Sequence, residues 1–553
     1  MPCLGSARLV FNLLTAHSFT ASLSTTTRLV PRRAFSVANS HNDLFDYTSG
    51  CWVFNDALRH AERRLVFDVE GLCRLAAQSV DRNPADVVDI KKLAEGGFNR
   101  SFLITLCDDF QMVARIPYPA TVPKYNAVAS EVATMDFLRS SGLPTPKVYG
   151  YSPESDNAAG TEYIFMEFVR GTKLSDVWLS LGEQEVISVL RQLTQLESKM
   201  MSLSFPAGGS LYYTQDLEKV ARGLGIPLED ERFCVGPDTR LPLWYGRRSQ
   251  LDVDRGPYES AEAALVAAAR KELAYLAHFG QPLLPFRRER RDGYQYQEQS
   301  PSAHIENLNR YLLIASSLVP RDPALGHFCI RHPDLQQGNI IVSRSPDSDW
   351  QVVSLLDWQH ASILPPFLLA GVPQRLQNYD DPISQSMTPP SLPENFDELD
   401  GTQRTKAEEV YLRRVVHYHY VTNTEECNTL HYAALTDPIN PWEGETLELK
   451  VALIQATERW EMLTGGGAPC PVVFDAEDVR ETMELNEVQR RADEALEVWQ
   501  NMLGLGPEGW VPTQHYEEAV ALSKQMKEKG LAEERAEIMG HWPWDDMDEG
   551  KYM

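Results

Sequence analysis

The stretch His332-Pro333-Asp334-Leu335-Gln336-Gln337-Gly338-Asn339-Ile340-Ile341-Val342 constrains the fold more than any other part of this chain. It opens with polar and acidic groups and closes in a β-branched run, the composition of a loop feeding a strand. A second run, Gln351-Val352-Val353-Ser354-Leu355-Leu356, is also strand-like and stops at Asp357-Trp358-Gln359. Asp334, Asn339 and Asp357 therefore stand at the mouths of short apolar strands.

Those residue types suit phosphoryl transfer, a reaction that needs positioning and charge neutralisation more than covalent help. An attacking hydroxyl needs a proton acceptor, and Asp334 can be that base. Magnesium takes hard oxygen ligands and keeps several waters. Asp357 offers a carboxylate and Asn339 an amide oxygen. Asn339 follows Asp334 by five positions, the spacing of a kinase catalytic loop.

The remaining parts occur upstream in the order such a site requires. Val87-Val88-Asp89-Ile90 begins a β-rich region. Gly96 and Gly97 lie in a turn before the strand Ser101–Leu106. Paired glycines let the backbone approach a nucleotide closely, although an ordinary hairpin turn has the same composition. Gln111–Ile116 reads as a third strand and places Arg115 to steady phosphates. The helix read over Val128–Ser140 carries Glu131, either in its first turn as a partner of the helix dipole or as the partner of Arg115. The strand Glu162–Val169 leads from sheet to helices, where Glu167 and Phe168 would form the nucleotide-binding hinge.

Composition excludes several classes. With 78 acidic against 52 basic residues the net charge is −26, which disfavours phosphate backbones, so no nucleic-acid partner is expected. No apolar run reaches the ~18 residues that span a bilayer. The eight cysteines show no CxxC spacing, so neither a disulfide framework nor a zinc site is expected. Residues 223–258 contain Arg232, Arg240, Arg247, Arg248 and Arg255, which suit either an anion-binding loop or a solvated insertion.

The first acidic residue is Asp43. The segment before it carries Arg8, Arg28, Arg32 and Arg33 among many Ser and Thr, with Leu9, Val10, Leu13 and Leu14 able to share one helical face. This is the composition of a mitochondrial transit peptide. Arg33-Ala34-Phe35 resembles a matrix-processing site, so residues 1–35 are expected to be a leader and the protein to work in the mitochondrion, in its matrix.

The motif His332-Pro333-Asp334-Leu335-Gln336-Gln337-Gly338-Asn339, followed by Asp357-Trp358-Gln359, resembles the aminoglycoside phosphotransferase-like branch of the protein-kinase-like fold. Gln336, where protein kinases carry Lys, and the lack of an Ala-Pro-Glu segment after Asp357 set it apart from protein kinases. A closer resemblance runs along nearly the whole chain. Tyr47-Thr48-Ser49-Gly50, Lys92–Asn99, Ala114-Arg115-Ile116-Pro117, Ser130–Met135, Gly209–Tyr213 and Trp542-Pro543-Trp544-Asp545-Asp546 are similar to the fungal altered inheritance of mitochondria protein 9 family.

The resemblance implies an α+β, two-lobed protein-kinase-like fold. Its expected parts are a helical N-terminal extension over 36–86, a β-rich N-lobe over 87–170, a mostly helical C-lobe over 171–440 and a helical C-terminal extension over 441–553. It implies ATP with magnesium, and a small-molecule hydroxyl acceptor that it does not identify. Arg115 departs from the usual Lys, and Arg for Lys is not a conservative exchange. With the large extensions, that departure leaves a second expectation open, a pseudokinase-like binding or scaffold protein.

Overall fold

The computed structural model describes residues 41–345, 349–427, 441–466, 469–532 and 540–553. The expected leader, residues 1–35, lies outside them. The chain is α+β with two lobes, a small one built on a single sheet and a larger, mostly helical one.

The sheet is antiparallel, with its strands in the order Val87–Glu95, Asn99–Leu106, Gln111–Pro117, Tyr163–Glu167, Val148–Ser152. Alternation along each strand sorts its side chains between two faces. Phe102, Ile104, Met112, Ala114 and Phe165 pack with Leu72 and Ala76 of helix Val69–Gln78. Ile164 and Met166 turn the other way and join Val128, Val132 and Met135 of helix Lys124–Ser140 in the core shared with the larger lobe. Burying each such large apolar side chain contributes about 1.5–3 kcal/mol. Arg115 alternates with the buried Ala114 and Ile116, so the period that fills one face aims its guanidinium at the interlobe side.

In the larger lobe, Ile340–Ser343 pairs with Gln351–Leu355 on one side and Thr172–Lys173 on the other. Helix Glu183–Met201 puts Val189 and Leu193 against this hairpin's core, while Val186 and Leu190 meet Val416 and Tyr420 of helix Gly401–Cys427. A second core joins helices Ala261–Phe279, Pro301–Ile314 and Leu447–Glu458. Among the described residues, no helix is long and apolar enough to cross a membrane.

The two extensions differ from the helical expectation in one respect. Gly50–Trp52 is a strand, and it pairs antiparallel with Trp510–Pro512. Three-residue strands are too short to show a period, so neither was legible in the sequence. The pairing fastens the extensions to each other, and Glu95 fastens them to the glycine hairpin. Its carboxylate accepts from the Thr48 and Ser49 backbone N–H groups at 3.0 and 2.9 Å and from the Ser49 hydroxyl at 2.7 Å. Lys92 and Arg100 neutralise it at 2.8 and 3.2 Å. The tail docks through its aromatics: Trp542 and Trp544 are buried beside Trp499, Leu503 and Val511.

Of the arginines of 223–258, Arg232 lies in solvent, Arg240, Arg247 and Arg255 are half-buried, and Arg248 is buried. Arg248 and Glu272 form an ion pair at 2.8 Å with both side chains fully buried. Arg255 donates to the carbonyls of Leu243, Arg248 and Leu251. Arg240 pairs with Asp238 at 2.8 Å and Arg232 with Asp230 at 2.7 Å. Arg247 lies over the Phe279 ring. Arg248 and Arg247 pin the insertion to helix Ala261–Phe279, and the other contacts stay within it.

Candidate active site

The hairpin register assembles the core of the site. Ile340 pairs with Leu355, so Asn339 stands opposite Leu356, whose N–H donates to the Asn339 carbonyl at 2.8 Å. Asp357 is the next residue. On the loop side, Asn339 Nδ2 donates to both the backbone carbonyl and Oδ2 of Asp334, each at 3.0 Å. The five-residue spacing is what lets Asn339 reach back to Asp334. Gln336 Nε2 donates to the same Oδ2 at 2.5 Å. Asp334 itself is exposed at the lobe surface, while its neighbour Leu335 is anchored in the core.

His332 binds the loop to the strand end. Its Nδ1 accepts from the Asp334 N–H at 3.1 Å, which leaves the proton on Nε2 to be donated to the Leu356 carbonyl at 2.9 Å. Burial pushes this imidazole's pKa down, so the neutral tautomer that makes both bonds is the favoured one. The ring rests on Trp358, 4.4 Å away between centroids and fully buried.

Arg331, one residue earlier, clamps the same loop from beneath. It donates to Glu197 Oε1, the Leu369 carbonyl and the Gly371 carbonyl, each at 2.7 Å, and to the Tyr420 hydroxyl at 3.1 Å. Tyr420 in turn donates to Glu197 Oε2. One guanidinium thus ties the loop to helix Glu183–Met201, to helix Gly401–Cys427 and to the segment after Asp357.

Arg115 lies between two carboxylates. Its Nη1 is 3.2 Å from Glu131 Oε1, and its Nη2 makes a short hydrogen bond to Asp357 Oδ1. Gln359 Oε1 is 3.3 Å away, and the Asn99 amide faces the same guanidinium. The helix bearing Glu131 begins at Lys124, so Glu131 lies past the first turn and the dipole account of it falls away. Its partner is Arg115. The pairing is uneven, because the contact to Asp357 has hydrogen-bond geometry and that to Glu131 Oε1 does not. Burial therefore dominates at Glu131 and pushes its carboxyl up to about 7, with Arg115 offsetting only part of the effect. At Asp357 burial pulls upward too, but the adjacent guanidinium outweighs it and holds the carboxyl below its usual value. Asp357 also has a φ of +66°, a left-handed conformation costing about 1–3 kcal/mol in a non-glycine residue, and such strain clusters at functional sites.

The glycine hairpin closes over this group. The Gly96 N–H donates to the Asn99 carbonyl at 2.9 Å, and a Cβ placed on Gly97 would meet no atom within 4 Å. Phe98 sets its ring edge-on to His360, just after Asp357. The hinge fits the expectation less well. The Glu167 carboxylate accepts from the Lys147 N–H at 3.1 Å and lies 3.6 Å from Arg139, so it is engaged at the sheet margin. The Glu167 N–H is engaged as well, donating to the Lys147 carbonyl at 2.8 Å.

The sequence profile of the phosphotransferase enzyme family matches residues 89–368, about half of the chain, and takes in the glycine hairpin, Arg115, Asp334, Asn339 and Asp357. The chain belongs to the phosphotransferase enzyme family. A subtelomeric hrmA-associated cluster protein of Aspergillus fumigatus is 31% identical over 519 residues, covering 83% of this phosphotransferase-family chain and 97% of the relative. The altered inheritance of mitochondria protein 9 of Yarrowia lipolytica is 25% identical over 544 residues, covering 88% of each, which bears out the resemblance drawn from the motifs. A solved ADP-bound aminoglycoside phosphotransferase aligns at 13% identity with a TM-score of 0.32, covering 77% of this chain and 99% of its own.

Three features of this phosphotransferase-family site were missed in the sequence. Arg331 is visible there only as the residue before the motif, and nothing marks Glu197, 134 positions away, as its partner. Gln359 was read as motif identity and not as a contact of Arg115. Arg375 is the third. Burial lowers its guanidinium's pKa, and it is near enough to Asp334 for that carboxylate's charge to oppose the change.

Proposed function

We propose that this chain transfers the γ-phosphate of ATP to a hydroxyl of a small molecule in the mitochondrial matrix. The observation that carries the reading is the hairpin that holds Asp334, Asn339 and Asp357 on one edge. The mitochondrial setting rests on residues 1–35 and on the relatives' names.

The donor set fits magnesium. Asp357 and Asn339 present a carboxylate and an amide oxygen, and Arg115 keeps Asp357 ionised. A magnesium ion held there supplies charge neutralisation to the phosphates. Gly96 and Gly97 admit the phosphates close to the backbone, and Arg115 adds a fixed positive charge. Asp334 receives the hydroxyl proton as the acceptor oxygen forms its bond to phosphorus and the bond to the β-phosphate oxygen breaks. Both amide donors engage Oδ2, which makes Oδ1 the accepting oxygen.

A second reading, nucleotide binding without turnover, is favoured by one observation: Arg115 already occupies Asp357. The experiment that separates the two combines thermal-shift titration with Mg-ATP and transfer of labelled γ-phosphate into a mitochondrial metabolite pool. A stabilising shift with a newly labelled metabolite supports the kinase reading. A shift without label supports the binding protein, and the absence of a shift refutes both.

Glu131 gives the site a pH dependence. Its carboxyl is raised in the folded protein, so its contribution to stability is complete below the unfolded value near ~4.3 and is lost as pH rises to about 7. The folded protein's Glu131 gives up its proton in a window centred on about 7, and there it competes for Arg115 and loosens its hold on Asp357. Mg-ATP affinity is expected to rise across the window, and Glu131→Gln to flatten the rise. Calorimetric titration of both proteins checks this, since ATP's own titration is common to both. Parallel profiles would exclude the exchange.

A further inference from the structure

In the N-terminal extension that Glu95 ties to the glycine hairpin, a thiol, a carboxylate and an imidazole come together. Asp56 and His60 stand four residues apart on helix Asp56–Arg63 and so share a face. Cys51 comes from the strand Gly50–Trp52 that leads into it. One ligand atom from each of the three lies within 4.8 Å of the other two. Asp56 Oδ1 and His60 Nε2 are 3.4 Å apart. Two ligand atoms bound at about 2.0–2.1 Å to a tetrahedral ion are separated by roughly 3.3 Å. That edge is already set, and the Cys51 sulfur lies within 4.8 Å of both atoms.

The three groups are also held in place from behind, as metal ligands are. The Trp52 N–H donates to Asp56 Oδ1 at 2.8 Å. The His60 ring stands edge-on to Trp52 and Tyr47, both buried, which fixes its plane. The Thr513 hydroxyl, from the C-terminal extension, donates to the Thr48 carbonyl at 2.8 Å and so steadies the segment leading to Cys51. Asp56 and His60 keep 31% and 32% of their side-chain surface, enough for water to complete a coordination shell.

We propose that Cys51, Asp56 and His60 bind a divalent transition ion of the zinc class, with water as the fourth ligand. Sulfur, nitrogen and oxygen together select zinc-like ions over magnesium or calcium, which take oxygen alone. On binding, the Cys51 S–H bond breaks, its proton goes to solvent and a sulfur–metal bond forms without any change of oxidation state. Because Cys51 lies opposite Val511 in the strand pair, the ion braces the junction of the two extensions. An ordinary Asp56–His60 helix pair would explain the carboxylate and the ring, but it gives the thiol no part. The spacing, Cys-x4-Asp-x3-His across a strand-to-helix turn, is not one a search for CxxC finds.

The test is cobalt(II) titration of the chelator-treated full chain, read by the thiolate-to-cobalt charge-transfer absorption and by competition with zinc. One ion per chain with that absorption is expected. Cys51→Ser should abolish the band, and His60→Asn should weaken zinc competition at least tenfold. Cys107→Ser, which removes an exposed thiol elsewhere, should change neither. Circular dichroism in chelator establishes that each variant is folded, and if Cys51→Ser is not, His60→Asn carries the test. No band in the wild type, a band that survives Cys51→Ser, one lost in Cys107→Ser, or unchanged zinc competition in a folded His60→Asn would overturn the proposal.

Discussion

Asp334→Asn is expected to lower phosphoryl transfer by about 10²–10⁴-fold, the usual contribution of a positioned general base, with little change in Mg-ATP affinity. The Gln336 and Asn339 amides both donate to Asp334 Oδ2, so an asparagine at 334 turns its oxygen toward them and its NH2 toward the acceptor. The substituted loop keeps its shape and loses its proton acceptor. Asp334 is exposed, so the substitution should cost no more than about 0.5 kcal/mol in stability. Single-turnover phosphorylation and thermal melting read the two effects separately. Wild-type turnover in the variant would remove Asp334 from the chemistry. Lost nucleotide affinity would mean that it acts in binding.

What the sequence disclosed about this site is what local geometry can encode. Asp334 and Asn339 are near in the chain because one reaches back to the other, and Asp357 follows a strand whose register is set by a short apolar pattern. Arg115 was legible because strand alternation leaves it out of phase with Ala114 and Ile116. The contacts that escaped are those whose partners lie far apart and carry no period. Gly50–Trp52 meets Trp510–Pro512 through a backbone ladder that any sequence supplies, and the Trp510 ring that packs on Trp52 comes from a position more than 450 residues away. The arginines of 223–258 showed the opposite failure. Their charge was visible, but not the buried carboxylate of Glu272 or the carbonyls that take it up. Glu131 stands between these cases: its pairing with Arg115 was anticipated, while the uneven division of one guanidinium between two acids needed coordinates.

The same distinction predicts where a substitution outside the recognisable motif does the most damage. Arg331→Leu is expected to destabilise the protein by about 3–5 kcal/mol, because it leaves the Glu197 carboxylate buried without its cation. Arg331→Lys should recover only part of this. Arginine reaches Glu197, two carbonyls and the Tyr420 hydroxyl through a planar fork, whereas lysine directs its donors from a single nitrogen. Pairing Arg331→Leu with Glu197→Leu removes the unpaired charge and should restore more stability than Arg331→Lys does. The double variant still frees the Leu369 and Gly371 carbonyls, so it should refold without regaining full turnover. Urea unfolding of the three proteins, alongside phosphorylation at a temperature where all are folded, separates the clamp's effect on stability from its effect on the loop. A loss below about 1 kcal/mol in Arg331→Leu would mean that water reaches Glu197 once the arginine is gone, and that the catalytic loop is held by His332 and Trp358 instead.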